Sequence, residues 1–159
     1  TDAYEPAIER AVATYDVKSV DPDEIYEIDC DFFSPCAMGA TLNEKTIPLL
    51  GCRAVVGSAN NQLATDEDAD RLAHRGILYA PDFVVNAGGL INVYDELHGY
   101  SKTRALHRVD GIYEATLNIL ETAKQHGIHP NEAAVRVADE RIRDIGDLRR
   151  FRRSGDDRN

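Results

Sequence analysis

Short apolar runs alternate with amphipathic segments through the first half of the chain. The run at 53–57 is mostly apolar and shows no alternation, which is typical of a strand buried on both faces. Strands and helices alternating in this way predict an α/β fold with a parallel sheet flanked by helices. The predicted strands cover residues 18–20, 30–33, 53–57 and 77–80.

Helical periodicity predicts the elements between and after these strands. The first helix covers residues 4–15, a short one starts at Thr46 with Pro48 in its first turn, and another opens at Thr65 and runs to His74. The remaining helices are predicted over 86–98, 101–126 and 130–145, with Gly99, Gly127 and Gly146 as their ends.

Acidic residues outnumber basic ones by 28 to 18, which gives a formal charge of −10. A surface of that sign repels phosphate, so we expect neither nucleic acid nor an anionic membrane as a partner. No apolar run approaches the roughly 20 residues of a membrane-spanning helix. The chain opens with no signal-peptide pattern, so we expect a cytoplasmic protein. The cysteines and histidines have irregular spacings, which predict no structural metal site.

Three loops that follow predicted strands carry small and polar residues. Residues 34–40 hold a glycine among small side chains, residues 57–62 combine three carboxamides with a serine, and residues 81–89 end a strand and start a helix with two glycines. Loops that follow parallel strands meet at one edge of the sheet, where ligands bind. Asn and Gly are also ordinary turn residues, so each loop alone is typical of a plain turn. Their coincidence at one edge favours a ligand-binding crevice.

A dinucleotide site normally contains the sequence G-x-G-x-x-G, and this chain has none. In such sheets the second strand ends in an acid that accepts hydrogen bonds from ribose hydroxyls. The chain opens on Thr1 and Asp2 and continues into a helix. We therefore expect it to start at the tip of that second strand, with the glycine turn upstream. Asp2 is also a candidate helix cap, and the two roles are compatible.

Three segments in register carry a family resemblance. Residues 30–40 (CDFFSPCAMGA), 57–63 (GSANNQL) and 79–93 (YAPDFVVNAGGLINV) closely resemble the leucine, phenylalanine and valine dehydrogenases, branches of the glutamate dehydrogenase superfamily. The likeness extends from residue 1 to residue 142. It implies a Rossmann-type parallel sheet that is incomplete at its N-terminal edge and is followed by C-terminal helices.

The resemblance also implies an activity, the reversible NAD-dependent oxidative deamination of an apolar L-amino acid to its 2-oxo acid and ammonia. The substrate would be of the leucine, valine or phenylalanine type. In the family the two lysines and the aspartate of catalysis lie in the amino-terminal domain, so we expect an oxidoreductase as the parent protein, a homo-oligomer, and no activity from this chain alone. Two alternatives stay open: a non-catalytic nucleotide-binding or regulatory module, and a glutamate dehydrogenase fragment.

Residue by residue, the resemblance assigns some positions to NAD and others to the substrate. Asp2 matches the acid that holds the adenosine ribose, and Asn86 matches the residue at the junction of nicotinamide and substrate. Thr116 and Ile119 match positions of the substrate side-chain pocket, although ordinary helix packing would also explain them. The other NAD-binding positions are Cys36, Ala37 and Met38, whose backbone passes under the cofactor, and Ala59 and Asn60, beside the nicotinamide ribose.

These assignments divide the chain into three parts. Residues 1–98 are expected to form a partial NAD-binding domain, and residues 99–146 to form helices that return towards the absent catalytic domain. Residues 147–159 are rich in arginine and have little apolar surface. We expect them to form a flexible tail, with a docking peptide as the alternative.

Overall fold

The computed structural model describes the backbone of residues 1–156 and the side chains of residues 1–146. The chain forms two compact units, Thr1–Leu90 and Ile91–Asn159. The boundary between them falls inside one helix, whereas the functional division expected at residue 98 stays a prediction. The described helices are α1 (Glu5–Tyr15), α2 (Glu67–His74), α3 (Asp82–Val85), α4 (Gly88–Glu96), α5 (Lys102–His126) and α6 (Pro130–Asp156).

The first unit contains a three-stranded sheet of β1 (Asp29–Phe33), β2 (Gly51–Val55) and β3 (Leu78–Tyr79), in that order. Both pairings are parallel, as predicted, with Val55 opposite Phe33 on one side and Tyr79 on the other. The strand expected at 18–20 is wrong. These residues have no strand partner in the described part of the chain, and a strand exists only through hydrogen bonds to a neighbour.

The hydrophobic core of the first unit lies where the sheet meets α2 and a 3₁₀ turn at Ile47–Leu49. Val55 of β2 and Leu72 of α2 are both 0% exposed. Each fully buried aliphatic side chain of this size contributes about 1.5–3 kcal/mol to stability. The core anchors β2 and β3, so it also fixes the points from which the loops at their carboxyl ends leave the sheet.

The second unit is helical, and α5 packs against α6. The side chain of Ser101 caps α5 by accepting a hydrogen bond from the Arg104 backbone N–H at 3.4 Å. The residues buried on these two helices are mostly small, which allows helices to approach closely. Among the described side chains they are Ala105, Ile119 and Ala123 on α5 and Ala133 and Ala134 on α6.

The predicted helix ends are partly right. Gly99 and Gly127 have φ of 72° and 65°, the left-handed conformation that ends a helix. The predicted end at Gly146 is wrong, because α6 continues through it to Asp156. A helix tolerates a glycine at a cost of about 1 kcal/mol, so its neighbours can carry the helix onward. The flexibility expected for residues 147–159 stays a prediction, and 157–159 lie outside the described residues.

The helix expected over residues 86–98 is α4 (Gly88–Glu96), two residues shorter at each end, and the short helix α3 that precedes it was not predicted. Asn86 ends α3, where its backbone N–H donates to the Asp82 carbonyl at 2.9 Å. The side chain of Asn86 also bonds to another loop, which competes with continuation of a helix. None of the helices in the described residues has the length and apolar character that crossing a membrane requires.

Candidate functional site

The three loops at the carboxyl ends of the strands meet, as predicted. The Ala59 N–H of the loop after β2 donates to the Pro35 carbonyl of the loop after β1 at 3.0 Å. Farther along the same two loops, the Ala40 N–H donates to the Asn61 carbonyl at 2.7 Å. Asn86, after β3, reaches the same loop through its side chain. The convergence follows from parallel pairing, which places all three strand ends at one edge.

Two glycines allow the first two loops to touch. A Cβ at Gly57 would lie 2.1 Å from the Pro35 carbonyl oxygen, and a Cβ at Gly39 would lie 2.8 Å from the carbonyl oxygens of both Asn60 and Asn61. Separations of this size are forbidden, so no other residue fits without moving the backbone. Glycine is therefore required at positions 39 and 57 because two stretches of backbone are in contact there.

The contact between these loops holds two residues in an uncommon backbone conformation. Ala40 has a φ of 58° and Asn61 a φ of 52°. Asn tolerates this left-handed region, whereas an alanine there is strained by about 1–2 kcal/mol. The hydrogen bond from the Ala40 N–H to the Asn61 carbonyl joins the two positions directly. The loops thus keep a conformation that neither would favour alone.

The side chain of Asn86 joins two of the three loops. Its side-chain Nδ2 donates to the Asn60 Oδ1 at 2.7 Å and to the Ala59 carbonyl at 3.3 Å. The Ala59 carbonyl can only accept, which fixes the orientation of the Asn86 amide and requires a donor there. Both amide hydrogens of Asn86 thus have acceptors in the loop at 57–62, and its Oδ1 remains to accept a hydrogen bond from a ligand.

The glycines at the start of α4 are open. A Cβ at Gly88 or at Gly89 would have no atom within 4 Å in the described residues. Backbone without neighbouring side chains at a helix start can be approached closely by a flat or polar group. Together with the oxygen of Asn86, this arrangement fits a nicotinamide, whose carboxamide nitrogen is a hydrogen-bond donor. The residues present are therefore compatible with NAD at this edge of the sheet.

The loop at 34–40 presents exposed side chains around Cys36. Cys36, Ala37 and Met38 are all exposed, and Met38 has 79% of its surface in solvent. A hydrogen bond from Ser34, with further ones from Ser58, lowers the pKa of the Cys36 thiol. Hydrogen bonds of this kind favour the thiolate, so Cys36 is the more acidic counterpart of Cys52, whose pKa is raised by burial.

Asp2 lies away from the hydrogen bonds that join the three loops. Its Oδ1 accepts from the Tyr4 backbone N–H at 2.8 Å, just before α1. The alternative role of Asp2 as the cap of α1 is wrong, because Tyr4 holds the cap position and no side chain caps this helix; the Asp2 carboxylate instead closes a turn just before it. Asp2 also lines a cavity of about 270 Å³ along α1, together with Ile8 and Val12.

Thr116 and Ile119 lie one turn apart on α5. The Thr116 hydroxyl donates to the Ile112 carbonyl of its own helix at 2.8 Å, so its polar group is already satisfied. Ile119 is 4% exposed. Both observations fit helix packing, and the assignment of these residues to a substrate pocket stays a prediction.

Two polar residues of the loop cluster were given no individual role from the sequence. Gln62 is 0% exposed, and its Nε2 donates to the carbonyls of Gly57 and Ala59 at 2.8 and 3.0 Å. Asp82 is 8% exposed and accepts a hydrogen bond from the Gln62 backbone N–H. The available signal was Pro81 followed by an acid at a helix start, which is also the ordinary composition of a first helical turn.

The fold and this site define a class of protein, a parallel α/β domain with polar loops at the carboxyl edge of its sheet. A profile described as glutamate/leucine/phenylalanine/valine dehydrogenase matches residues 4–149. The chain therefore belongs to this family of dehydrogenases. In the described residues, no group of three or more His, Cys, Asp or Glu side chains is placed to hold a metal ion.

Individual proteins similar to this chain are also amino-acid dehydrogenases. Leucine dehydrogenase from Bacillus cereus is 47% identical over 158 residues, which cover 99% of this chain and 43% of that protein. L-tryptophan dehydrogenase from Nostoc punctiforme is 47% identical over 135 residues, which cover 84% of this chain and 38% of that protein. The chain thus spans less than half the length of these relatives.

Solved structures give the same result for the fold. The crystal structure of L-tryptophan dehydrogenase from Nostoc punctiforme superposes with a TM-score of 0.87 at 44% identity, covering 90% of this chain and 43% of that chain. Hetero-hexameric glutamate dehydrogenase from Thermus thermophilus superposes with a TM-score of 0.69 at 22% identity, covering 91% of this chain and 37% of that chain. The latter likeness concerns the fold alone.

Proposed function

We propose that this chain is the NAD-binding portion of an amino-acid dehydrogenase that deaminates an apolar L-amino acid to its 2-oxo acid. The observation that carries the proposal is the amide of Asn86, whose two hydrogens are held by Asn60 and Ala59. Its oxygen is left to accept from a ligand beside the open glycines of α4. This geometry suits the junction of a nicotinamide carboxamide and an amino-acid substrate.

Each cofactor residue has a role in this proposal. Asn60 and Ala59 orient Asn86 and border the nicotinamide ribose, while the backbone of Cys36, Ala37 and Met38 supports the cofactor from the other loop. Asp2 accepts hydrogen bonds from the adenosine ribose. A bound NAD would supply the acceptor for the hydride that the substrate loses at its Cα, and water would supply the oxygen of the 2-oxo acid as ammonia leaves.

Thr116 and Ile119 are proposed to line a pocket for an apolar substrate side chain. Thr116 uses its hydroxyl within α5, so the side chain can offer a methyl group to a neighbour. Ile119 adds an aliphatic surface one turn away. Leucine, valine and phenylalanine fit such a lining better than a charged amino acid does. The parent protein is proposed to be a cytoplasmic homo-oligomer, and this chain alone is proposed to be inactive.

The proposal is tested by titrating NAD into the ¹⁵N-labelled chain and following backbone amide signals by NMR. We expect the shifted signals to cluster near Asp2 and at 36–40, 57–62 and 82–89. Asn86→Ala should weaken NAD binding about tenfold, which corresponds to about 1.4 kcal/mol. Asn92→Ala is the matched control, because Asn92 lies on α4 and bonds only to Glu96 among the described residues. Equal affinity of the two variants would remove Asn86 from the site.

The expected inactivity has a separate test. The purified chain, mixed with NAD and L-leucine, L-valine or L-phenylalanine, should produce no NADH above the rate without enzyme. Turnover by the chain alone would contradict the proposal that the catalytic groups lie elsewhere in a longer protein.

A further inference from the structure

We propose that Asp82 is a positioning residue of the cofactor site, whose buried carboxylate holds the loop at 57–62 so that this loop can orient Asn86. The inference rests on the function proposed above, because it gives Asn86 its place beside the cofactor. Asp82 itself has no contact with the ligand in this proposal. It acts through Gln62, Ala59 and Asn60.

The carboxylate of Asp82 joins two segments that are distant in the sequence. Its Oδ1 accepts from the Phe83 backbone N–H at 2.6 Å, inside the first turn of α3. Its Oδ2 accepts from the Gln62 backbone N–H at 2.7 Å, 20 residues earlier in the chain. One oxygen thus belongs to the helix and the other to the loop. The position of Gln62 is set by α3 through this pair of hydrogen bonds.

Gln62 passes this constraint on to the rest of the loop. Its buried Nε2 donates to the carbonyls of Gly57 and Ala59, which closes the loop upon itself. The Ala59 carbonyl also accepts from Asn86 Nδ2, and the neighbouring Asn60 side chain accepts the other hydrogen of that amide. The series of hydrogen bonds from Asp82 therefore ends on the side chain assigned to the nicotinamide.

A carboxylate suits this position better than an amide of the same shape. Both oxygens of Asp82 accept from backbone N–H groups, whereas an asparagine would present one oxygen and one NH₂ group. One of the two backbone donors would then face another donor, and a buried donor without an acceptor is costly.

Tyr79 is a further polar neighbour of this carboxylate. Its hydroxyl accepts from the Asp82 backbone N–H at 3.3 Å. Burial, with a smaller contribution from the charge of Asp82, raises the pKa of Tyr79, so the phenol remains neutral beside the carboxylate. Asp82 is thus surrounded by hydrogen-bond donors and by one neutral ring, with no second negative charge from Tyr79 to displace the loop.

The test compares Asp82→Asn with Asp68→Asn in the 159-residue chain. Asp68 is a matched control, because it is also buried, at 1% exposed, and also accepts from a backbone N–H, that of Thr65 at 2.9 Å. Its partners lie at the start of α2. A general loss of stability should therefore appear in both variants, whereas a change in the orientation of Asn86 should appear only in Asp82→Asn.

The first readout is NMR of the unliganded chain. We expect Asp82→Asn to accelerate hydrogen exchange at the Gln62 backbone amide by about tenfold or more and to shift the side-chain amide signals of Asn60 and Asn86. Asp68→Asn should leave these three signals in place. Unchanged Asn60 and Asn86 signals in a folded Asp82→Asn protein would overturn the proposal.

The second readout is NAD affinity. It should fall by about fivefold or more in Asp82→Asn and by less than about twofold in Asp68→Asn. If the wild-type chain binds no NAD, the proposed function fails, and the unliganded amide signals still decide whether Asp82 positions Asn86.

Asp82→Ser is the second test variant, to be used if Asp82→Asn does not fold. Its hydroxyl can accept from the Phe83 N–H, but the shorter side chain loses the bond to Gln62, so it should reproduce the changes at Gln62 and Asn86. Unfolding of both Asp82 variants while Asp68→Asn stays folded would show a role in overall stability and would also overturn the proposal.

Discussion

Each of the two units contains a turn held by a buried aspartate, and the two aspartates are satisfied in different ways. Asp82 in the first unit accepts from backbone N–H groups, one of them 20 residues away. Asp95 in the second unit is 0% exposed and pairs with the guanidinium of Arg104, nine residues away. The first arrangement joins distant segments into a site, whereas the second closes a local turn between consecutive helices.

Of the two aspartates, Asp95 has the more completely neutralised charge. Arg104 donates to Asp95 through Nε at 2.5 Å and through Nη2 at 3.0 Å, and the Ser101 backbone N–H donates to Asp95 at 2.7 Å. Arg104 also donates to the Gly99 carbonyl at 2.6 Å, at the left-handed end of the turn. A bidentate pair of this kind fixes geometry as well as charge. Burial of an acid thus serves rigidity in the second unit and joins the segments of the candidate site in the first.

The largest effect is expected from Arg104→Ala. The substitution leaves Asp95 buried without its cation, and breaking such a pair by removing one partner is strongly destabilising. We expect the unfolding temperature, followed by circular dichroism, to fall by about 10 °C or more. Arg136→Ala is the control, because Arg136 and Glu140 form an exposed pair on α6. That change should lower the unfolding temperature by less than about 4 °C. An equal effect of the two substitutions would mean that the buried pair contributes no more to stability than the exposed pair.

An intermediate effect is expected from pH. The hydrogen bond from Arg104, followed by that from the Ser101 backbone, lowers the pKa of Asp95. A depressed pKa stabilises the folded state at every pH above the unfolded value of about 3.9, and the stabilisation is lost as the pH falls below it through the folded value. Urea unfolding from pH 7 to pH 2 should therefore show a stability difference between wild type and Asp95→Asn that is constant above about pH 5 and shrinks below about pH 4. A constant difference across the whole range would remove the ionised carboxylate as its cause.

The smallest effect concerns the strained loop of the first unit. Ala40 has a φ of 58°, a conformation that glycine adopts without steric cost. Ala40→Gly should raise the free energy of unfolding by about 0.5 kcal/mol, since relief of strain exceeds the added entropy of the unfolded chain. Ala73→Gly, within α2, should lower it by about 1 kcal/mol. Loss of stability in both variants would mean that Ala40 is not strained.

Much of the first unit could be predicted from the pattern of apolar residues. The parallel sheet and the meeting of its three loops follow from the alternation of strands and helices, because parallel strands place their carboxyl ends together. The strand at 18–20 was predicted from a short run that pairs with nothing in the described part of the chain. Residues 18–20 contain one β-branched residue, Val20, and a segment this short forms a strand only where a neighbouring strand binds it.

In the second unit, several helix ends could be predicted from the local sequence. The start of α5 at Ser101 and the turns at Gly99 and Gly127 were predictable, because capping and left-handed residues act within a few positions of the helix end. Gly146 failed as an end, because a glycine permits a turn without requiring one. In the first unit, the short helix α3 that ends at Asn86 was not predicted, and Asn86 donates a hydrogen bond to Ala59, 27 residues earlier.

Local chemistry is therefore sufficient to place most of the helices, the core strands and the loops that carry the candidate site. The hydrogen-bond partners of Asp82, Gln62 and Asn86 could not be predicted in this way. A hydrogen bond depends on the distance and angle between groups that the folded chain brings together. From the residue order, Asp82 is an acid in a first helical turn and Gln62 is a loop amide. Their joint role in orienting Asn86 arises from the packing of three segments at one edge of the sheet.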